Sequence, residues 1–471
     1  MHFMGVGGVG VSALAKFAVK KGAIVTGSDI AENRRTLELE ELGVGVILDQ
    51  SSVVTPLPDE VIVSSAIGED NPELQAYRER GVPVIHRSEL LARYVNSYRG
   101  LAVAGTHGKT TTSSMLYHIL RQARLQPSAF LGGELIRERT NCLVGDSDLL
   151  VVEADESDGT FVRTRPEIAV VTSIDSDVNV TAEAYENCGY SESKAMGVVE
   201  ELFDQFVANT RGRVVACYDH PNVRRRLEGW PADTLTYGLN SEAQLTATNL
   251  SFHDYQVTAE VSYLGEYAGI VHVPLPGQHN LLNTLGAIAV AMEVDVPLPK
   301  ALQFVRSFFG VRRRFEIVGR TKGKIYVDDY AHNPQKIAAA LKGARMGNVD
   351  RVIAVFQPHR YTRTKLLQDN YPASFSDADL VLVTDIYAAG EEPLPGVDSK
   401  QLTQEINKVC PAVYTPNLKD VTLELQDTTR AGDIIVGLGA GSVGEWIRRI
   451  SRWDKSGKRW PSLKRDDTAP T

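Results

Sequence analysis

Leu101-Ala102-Val103-Ala104-Gly105-Thr106-His107-Gly108-Lys109-Thr110-Thr111-Thr112 is the stretch on which the reading of this chain turns. Leu101–Ala104 is an apolar strand running into Gly105, and Thr110–Gln122 follows with a helical pattern. A strand, a glycine-rich turn and a helix, in that order, make a phosphate cradle. Glycines let backbone N–H groups point inward at phosphate oxygens, and the helix adds the positive end of its dipole. Lys109 is placed to hold the β- and γ-phosphates, and the Thr110 hydroxyl to reach Mg²⁺. The loop is shorter than the common G-x-x-x-x-G-K-[ST] pattern, which has Gly where this chain has Val103.

Such a loop calls for an acidic residue at the end of a neighbouring strand to hold the metal. Leu149–Glu153 supplies it, in Glu153-Ala154-Asp155-Glu156-Ser157-Asp158. Carboxylates this dense repel one another without a cation. Taken alone the stretch also fits a solvated acidic loop; beside Lys109 and Thr110, metal binding by Glu153 is the better reading.

A second glycine loop lies at the start of the chain. Gly5-x-Gly7-x-x-Gly10 follows a predicted strand and opens a predicted helix, and Asp29 stands 19 residues beyond Gly10. This is the arrangement of a dinucleotide fingerprint. It also fits the diphosphate of a nucleotide-linked substrate, with Asp29 on a sugar or base. Ser64 and Ser65, after a later strand, form another candidate contact loop.

Further out, the rhythm is that of parallel sheets with crossover helices. Strands are expected at Met1–Val6, Ile24–Gly27, Val61–Ser64 and Val82–His86, with a helix at Ser12–Lys21. Ile168–Thr172 is another strand, and residues 245–275 alternate as antiparallel strands do. Later strands are expected at Lys324–Val327, Val352–Phe356, Leu380–Thr384 and Ile434–Leu438, with a helix at Pro334–Arg345. The fold class is therefore α/β. The 471 residues amount to about three domains, divided as 1–98, 99–310 and 311–455, with a polar tail at 456–471.

Composition removes several classes. Lys+Arg 50 against Asp+Glu 59 leaves a net charge of −9, which disfavours a nucleic-acid or membrane-surface partner. Cys142, Cys188, Cys217 and Cys410 are far apart and form no CxxC pair. Zinc, redox motifs and a disulfide framework are not expected, and a reducing cytoplasm fits. No apolar run reaches 18 residues, so no spanning helix is expected. The N-terminus lacks a basic n-region and is broken by glycines, which argues against a cleaved leader.

Taken together, the motifs resemble the Mur ligase family over about residues 2–450. The landmarks are His2–Gly10, Gly105–Thr110, Glu153–Gly159, Pro276–Asn283, Arg313–Glu316, Asp328–Pro334, Phe356–Thr364 and Ala389–Gly390–Glu391. The resemblance implies a Rossmann-like N-terminal domain for a UDP-sugar, a central P-loop ATPase-type mononucleotide-binding domain, and a Rossmann-like C-terminal domain that closes on ATP. It implies that ATP activates the lactoyl carboxylate of UDP-N-acetylmuramate as an acyl phosphate, which L-alanine attacks to form an amide during cytoplasmic peptidoglycan synthesis.

By position, the resemblance assigns Gly105, Thr106, His107, Gly108, Lys109, Thr110, Thr111, His279, Asn280, Asn283, Arg314 and Asp329 to ATP. Gly7, Gly8, Val9, Gly10, Asp29, Ser64 and Ser65 fall to the UDP-sugar. His332, His359, Arg360 and Arg363 line the acyl-acceptor side. Thr110 and Glu153 match ligands of Mg²⁺ or Mn²⁺, and Lys109, Glu153 and His332 carry the catalysis.

Two departures stand out. The family's second metal-binding stretch, N-I-x-x-D-H-x-D, reads here Ser173–Val180, with Val178 at the His position. Asp177, Asp175 or Asn179 are the oxygen donors available in its place. Ala331 and Asn333 stand where the family more often has Gly and His. A relative with a different acyl acceptor and a non-catalytic sensor of UDP-sugar or ATP are the alternatives. A nicotinamide-dependent oxidoreductase accounts for Gly5–Gly10 and Asp29, but leaves Lys109, Thr110 and Glu153 without a task.

Overall fold

Short runs of Val, Ile, Leu and Ala, bounded by Gly, Asp and Ser, become the buried parallel strands of the protein. The architecture comes from a computed structural model that describes residues 1–51, 53–155, 160–175 and 192–456. Among the described residues the strands form three sheets flanked by helices, an α/β arrangement.

The first sheet contains β1 (His2–Met4), β2 (Thr26–Ser28), β3 (Gly45–Ile47), β4 (Val61–Val63) and β5 (Val84–His86), in the order β3-β2-β1-β4-β5. All neighbours run parallel. β1 buries His2 completely. Its ring bonds Glu73 at 2.7 Å and Thr26 at 2.8 Å, and Ser28 donates to the other Glu73 oxygen at 2.6 Å. The buried carboxylate is thus matched on both oxygens.

The second sheet contains β6 (Arg99–Ala104), β7 (Ser128–Phe130), β8 (Cys142–Leu143), β9 (Leu149–Glu153), β10 (Ile168–Val171), β11 (Arg213–Cys217), β12 (Leu235–Gly238), β13 (Leu245–His253), β14 (Gln256–Tyr263) and β15 (Glu266–Val273). Their order is β15-β14-β13-β12-β11-β10-β6-β9-β7-β8. Two-residue turns at Asp254-Tyr255 and Leu264-Gly265, all four residues at positive φ, join β13, β14 and β15. Strands joined so closely run antiparallel.

The third sheet contains β16 (Glu316–Thr321), β17 (Lys324–Asp329), β18 (Arg351–Phe356), β19 (Leu380–Val383), β20 (Ala412–Tyr414) and β21 (Asp433–Leu438), in the order β16-β17-β21-β18-β19-β20. Only β16 is antiparallel to its neighbour.

Contacts divide the chain into two compact units. One holds Met1–Thr248, Val261–Gly269 and Leu282–Val305; the other holds Asn249–Glu260, Ile270–Leu281 and the chain from Arg306. The first sheet and the core of the second lie in the first unit. Phe17, on helix Val9–Lys20, packs on Tyr94 and on Phe130 of β7 with ring centroids 4.8 and 4.9 Å apart. Rings of that size bury area enough to weld the two sheets.

The expected Leu149–Glu153 strand and the Pro334–Arg345 helix stand as read. Other elements shift by one or two residues, as element ends do. The Met1–Val6 expectation is trimmed because Gly5 takes φ +68° and turns the chain. Helix Ser12–Lys21 begins earlier, at Val9. Strands β3, β7, β8, β11, β12, β16 and β20 are not among those expected from the sequence. The tail beyond residue 456, Glu156–Gly159, Asp177, Val178 and Asn179 lie outside the described residues.

Candidate active site

The carboxyl ends of β6, β9 and β10 meet where the strand order of the second sheet reverses, the place where open α/β sheets bind ligands. The loop after β6 is the glycine-rich stretch. Gly108, the N-cap of helix Lys109–Gln122, takes φ +84°, and a Cβ there would stand 2.2 Å from Asn283 Oδ1. Only glycine meets both conditions. The rest of the loop is tied to the segment after β10. Thr106 Oγ1 donates to Asp175 O at 3.1 Å and accepts from Asp175 N at 2.8 Å. The His107 N–H donates to Ser173 Oγ at 2.8 Å, and Thr172 Oγ1 donates to His107 O at 2.5 Å.

Thr110 and Glu153 meet at the head of this loop. The Thr110 hydroxyl, buried at the first turn of its helix, donates to Glu153 Oε1 at 3.2 Å. Gly132, just after β7, donates its N–H to Glu153 Oε2 at 2.9 Å. Lys109 curls back so that Nζ donates to Gly105 O at 2.7 Å, with Asp155 Oδ1 3.8 Å away. A hydroxyl and a carboxylate at a loop shaped for phosphate suit a hard cation such as Mg²⁺, whose other ligands are phosphate and water oxygens. Thr111, on the same turn, is buried. Among the described residues no group of three or more His, Cys, Asp or Glu side chains is arranged to hold a metal ion.

Asp175, a candidate in place of the His absent at Val178, is otherwise engaged. Its Oδ2 lies 3.1 Å from His220 Nε2 and 3.7 Å from His107 Nε2. The hydrogen bond from His220 holds this carboxyl below its usual range, against desolvation.

The first sheet repeats the geometry. Loops after β1 and β4 flank its own switch in strand order. Gly7 donates its N–H to Asp29 Oδ2 at 2.7 Å, and Ile30 donates to Oδ1 at 2.8 Å. Asp29 therefore clasps the Gly7–Gly10 loop. Gly8 and Val9 are exposed at the loop's crest. Arg87, which the sequence reading did not select, reaches the same loop: a Cβ on Gly10 would lie 3.3 Å from its Nη1. Ser64 is half-buried, and the exposed Ser65 hydroxyl is 3.2 Å from His86 Nε2.

Helix Gln278–Glu293 carries the expected adenosine-side residues. His279 is exposed, whereas Asn280 is buried and donates from Nδ2 to Pro276 O at 2.6 Å. Asn283 faces Gly108.

In the third sheet the expected residues gather at the carboxyl ends of β17 and β18. Asp329 accepts N–H groups of Phe315 at 2.7 Å and Ala331 at 2.8 Å. Desolvation nonetheless pushes its carboxyl up to about 6, against the pull of Arg314 and those two donors. Arg314 and Arg313 stand 5.4 and 4.9 Å from the Tyr330 ring centre. His332 is buried, with Nδ1 2.7 Å from Tyr330 O. Its ring lies 6.1 Å from that of His359, which stacks on Tyr387 at 5.5 Å. Arg363, also buried, reaches His359 Nδ1 at 3.1 Å. Arg360, at φ +68°, begins helix Tyr361–Leu367 and sits 4.0 Å from Glu391. Glu391 in turn accepts from the N–H and hydroxyl of Thr362, capping that helix. Asn333 caps helix Pro334–Arg345 through Lys336 N at 3.0 Å.

Sequence reasoning missed the turn after β21. Arg313, at φ +59°, donates to the carbonyls of Gly439, Ala440 and Gly441 at 2.6, 3.2 and 3.1 Å. Buried Gln357 holds the other side through Ser442 Oγ and Val443 N, both at 3.1 Å. The available signal was Gly437-x-Gly439-x-Gly441 between a strand and a helix. Gly132 had no such signal, because its role depends on β7 lying beside β9.

Family models cover most of the chain. One described as "Mur ligase family, catalytic domain" matches residues 1–99, "Mur ligase middle domain" matches 103–291, and "Mur ligase, glutamate ligase domain" matches 313–441. The UDP-N-acetylmuramate–L-alanine ligase of Sorangium cellulosum is 40% identical over 457 residues, 96% of this chain and 95% of its own. Its counterpart in Pelobacter propionicus is 39% identical over 451 residues, 94% and 95% of the two chains. The crystal structure of UDP-N-acetylmuramate-alanine ligase MurC from Thermotoga maritima is similar with a TM-score of 0.80 at 28% identity, covering 97% of this chain and 99% of that one. No described helix is long and apolar enough to cross a membrane.

Proposed function

The chain belongs to the Mur ligase family, and from that premise we propose that it joins L-alanine to UDP-N-acetylmuramate at the expense of ATP, in the cytoplasmic stage of peptidoglycan synthesis. Its relatives of that name, aligned over nearly the whole chain, support the choice of substrates. The observation that carries the chemistry is the Thr110–Glu153 pair at the head of the phosphate loop.

A carboxylate is a poor electrophile, so it is first activated. A lactoyl carboxylate oxygen attacks the γ-phosphorus of ATP, ADP leaves, and an acyl phosphate remains. The amine of L-alanine attacks the carbonyl carbon, and phosphate departs with the C–O bond.

Lys109 follows the γ-phosphoryl group as its charge shifts. Thr110 and Glu153 are the oxygen donors for Mg²⁺ or Mn²⁺, which supplies charge neutralisation when bound. Gly105, Thr106, His107, Gly108 and Thr111 shape the phosphate loop. His279, Asn280 and Asn283 serve the adenosine, and Arg314 and Asp329 complete the ATP contacts. The Asp29-closed loop of Gly7, Gly8, Val9 and Gly10 takes the UDP diphosphate, with Ser64 and Ser65 beside it. His332, His359, Arg360 and Arg363 receive the amino acid. Each of the three sheets thus serves one substrate in the main.

The test is phosphate release by purified protein with ATP, Mg²⁺, UDP-N-acetylmuramate and L-alanine, against controls omitting each. Release that needs all four and disappears in Lys109→Ala is the expected result. Binding of both nucleotides without release would overturn the proposal and leave a sensor of UDP-sugar or ATP.

A further inference from the structure

The phosphate loop is built from pliable backbone. Gly105 and Gly108 take φ +138° and +84°, conformations that glycine adopts freely but loses much entropy in keeping. What fixes the loop lies behind it, in the segment after β10. A Cβ on Gly105 would stand 2.0 Å from Thr172 Oγ1, so loop and segment run side by side. The single Thr106 hydroxyl closes a ring with Asp175, donating to its carbonyl and accepting its N–H. The shape of the loop therefore depends on where Asp175 stands.

A second turn, Asp219-His220-Pro221-Asn222 after β11, places Asp175. His220 Nε2 lies 3.1 Å from Asp175 Oδ2, and a carboxylate only accepts, so Nε2 carries the hydrogen. Asn222 Nδ2 donates to Ile174 O at 2.8 Å. His220 Nδ1 is buried with no hydrogen-bond partner among the described residues, so the polar task of the ring is at Nε2. The turn is itself pinned. Asp219 accepts the N–H groups of Leu239 and Asn240, beyond β12, at 2.9 and 3.0 Å. Gly238 makes room for it: a Cβ there would lie 2.1 Å from Asp219 Oδ1. Pro221, in the first turn of helix Pro221–Arg226, stiffens the backbone between His220 and Asn222. Strands β10 and β11 are parallel, with Val171 opposite Ala216, so both turns leave the same end of the sheet.

We propose that His220 and Asn222 are positioning residues for the nucleotide: they clamp Ile174–Asp175 so that the Gly105–Thr110 loop is shaped for the triphosphate before it arrives. The proposal rests on the reading of that loop as the ATP site. Neither residue lies in any of the motifs that carry the family resemblance, and both act through the segment after β10. The Asp175 carboxylate also lies 3.7 Å from His107 Nε2, so His220 sets where this charge stands against the loop. A loop ordered in advance loses less binding energy to its own ordering. Release of the clamp weakens ground state and transition state alike, which raises KM for ATP and spares kcat.

Titration calorimetry of the whole chain with Mg²⁺ and a non-hydrolysable ATP analogue tests this. His220→Leu is expected to weaken the analogue by about 10-fold, the scale of one hydrogen bond to a charged group. His220→Gln brings an N–H donor to the Nε2 position and is expected to recover affinity to within about threefold. Asn222→Ala is expected to weaken the analogue by about threefold. In turnover, each loss is expected in KM for ATP, with kcat changed by less than about twofold. Hydrogen exchange separates this role from a general loosening. The amides of Asp175 and His107, which bond Thr106 and Ser173, are expected to exchange about 10-fold faster in His220→Leu, while those of β1 keep their rates. Unchanged analogue affinity in His220→Leu, no recovery in His220→Gln, or equally faster exchange in β1 overturns the inference. Should His220→Leu not fold, unchanged affinity in Asn222→Ala overturns it. Unaltered protein that binds the analogue, loses it in His220→Leu and yet releases no phosphate removes the ligase reading and leaves the clamp.

Discussion

The Thr110 hydroxyl donates to Glu153 Oε1 across 3.2 Å, although 43 residues separate the two in sequence. Strand β6 delivers one to the phosphate loop and β9 delivers the other. Parallel pairing, with Leu101 opposite Val151 and Val103 opposite Glu153, sets their register. Glu153→Gln preserves shape and removes charge. ATP-dependent phosphate release is expected to fall by about 100-fold or more. Mn²⁺ binding followed by electron paramagnetic resonance, in the presence of a non-hydrolysable ATP analogue, is expected to weaken in parallel. Unchanged Mn²⁺ affinity would show that the cation sits elsewhere.

Gly132 offers a sharper version of the same test. A Cβ there would stand 2.2 Å from Glu153 Oε2, the oxygen that the Gly132 N–H holds. Gly132→Ala leaves every candidate ligand in the sequence but displaces the carboxylate. It is expected to mimic Glu153→Gln in activity while shifting the melting temperature by only about 1 °C, the effect of about 1 kcal/mol in a chain of this length. Full activity in Gly132→Ala would contradict the placement of Glu153.

Asp329 supplies the pH dependence. Its raised value means that the carboxyl takes up a proton as pH falls through about 6. The N–H groups of Phe315 and Ala331 and the charge of Arg314 suit the ionised form. Activity is expected to decline below pH 6, and the residual activity of Asp329→Asn to lose that limb. The sign for stability is the opposite. A carboxyl raised from 3.8 to about 6 destabilises the fold as pH climbs between those values, because the unfolded chain ionises first. Urea unfolding from pH 4 to 6 is expected to show a shallower fall in stability with pH for Asp329→Asn.

Arg313 and Arg448 hold the third sheet's charged interior. Arg448 pairs with both Glu316 and Asp328, the latter at 2.9 Å, while Arg313 grips three consecutive carbonyls after β21. Arg448→Met leaves buried Glu316 without its cation and Asp328 with only Arg313, 3.7 Å away, at an expected cost of about 3–5 kcal/mol by urea denaturation. Arg313→Lys keeps the charge but not the planar fork. Its expected cost is about 1–3 kcal/mol. Equal costs for the two would mean that charge alone matters at Arg313.

Much of the candidate site was legible because its signals are local. The phosphate loop needs Gly108 at φ +84° within a few residues of Lys109 and Thr110, so backbone geometry writes itself into a short motif. The same holds for Gly5–Gly10, and for Asn333 and Pro334 at the start of their helix. Asp29 was legible as a partner of the first loop, but not as its clasp on Gly7 N–H. Gly132, Arg87 and the Arg313 grip on Gly439–Gly441 were hidden, since each depends on which strands lie side by side.

Residue order alone determined the α/β rhythm, the two glycine loops and the family, because strands, turns and helix caps are decided by neighbours a few positions away. Tertiary structure alone decided that Glu153 meets Thr110, that Phe17 packs against Phe130, and that Arg313 holds the carbonyls of Gly439, Ala440 and Gly441. Those outcomes rest on hydrogen bonds and packing between segments distant in sequence, where register and burial choose the partner.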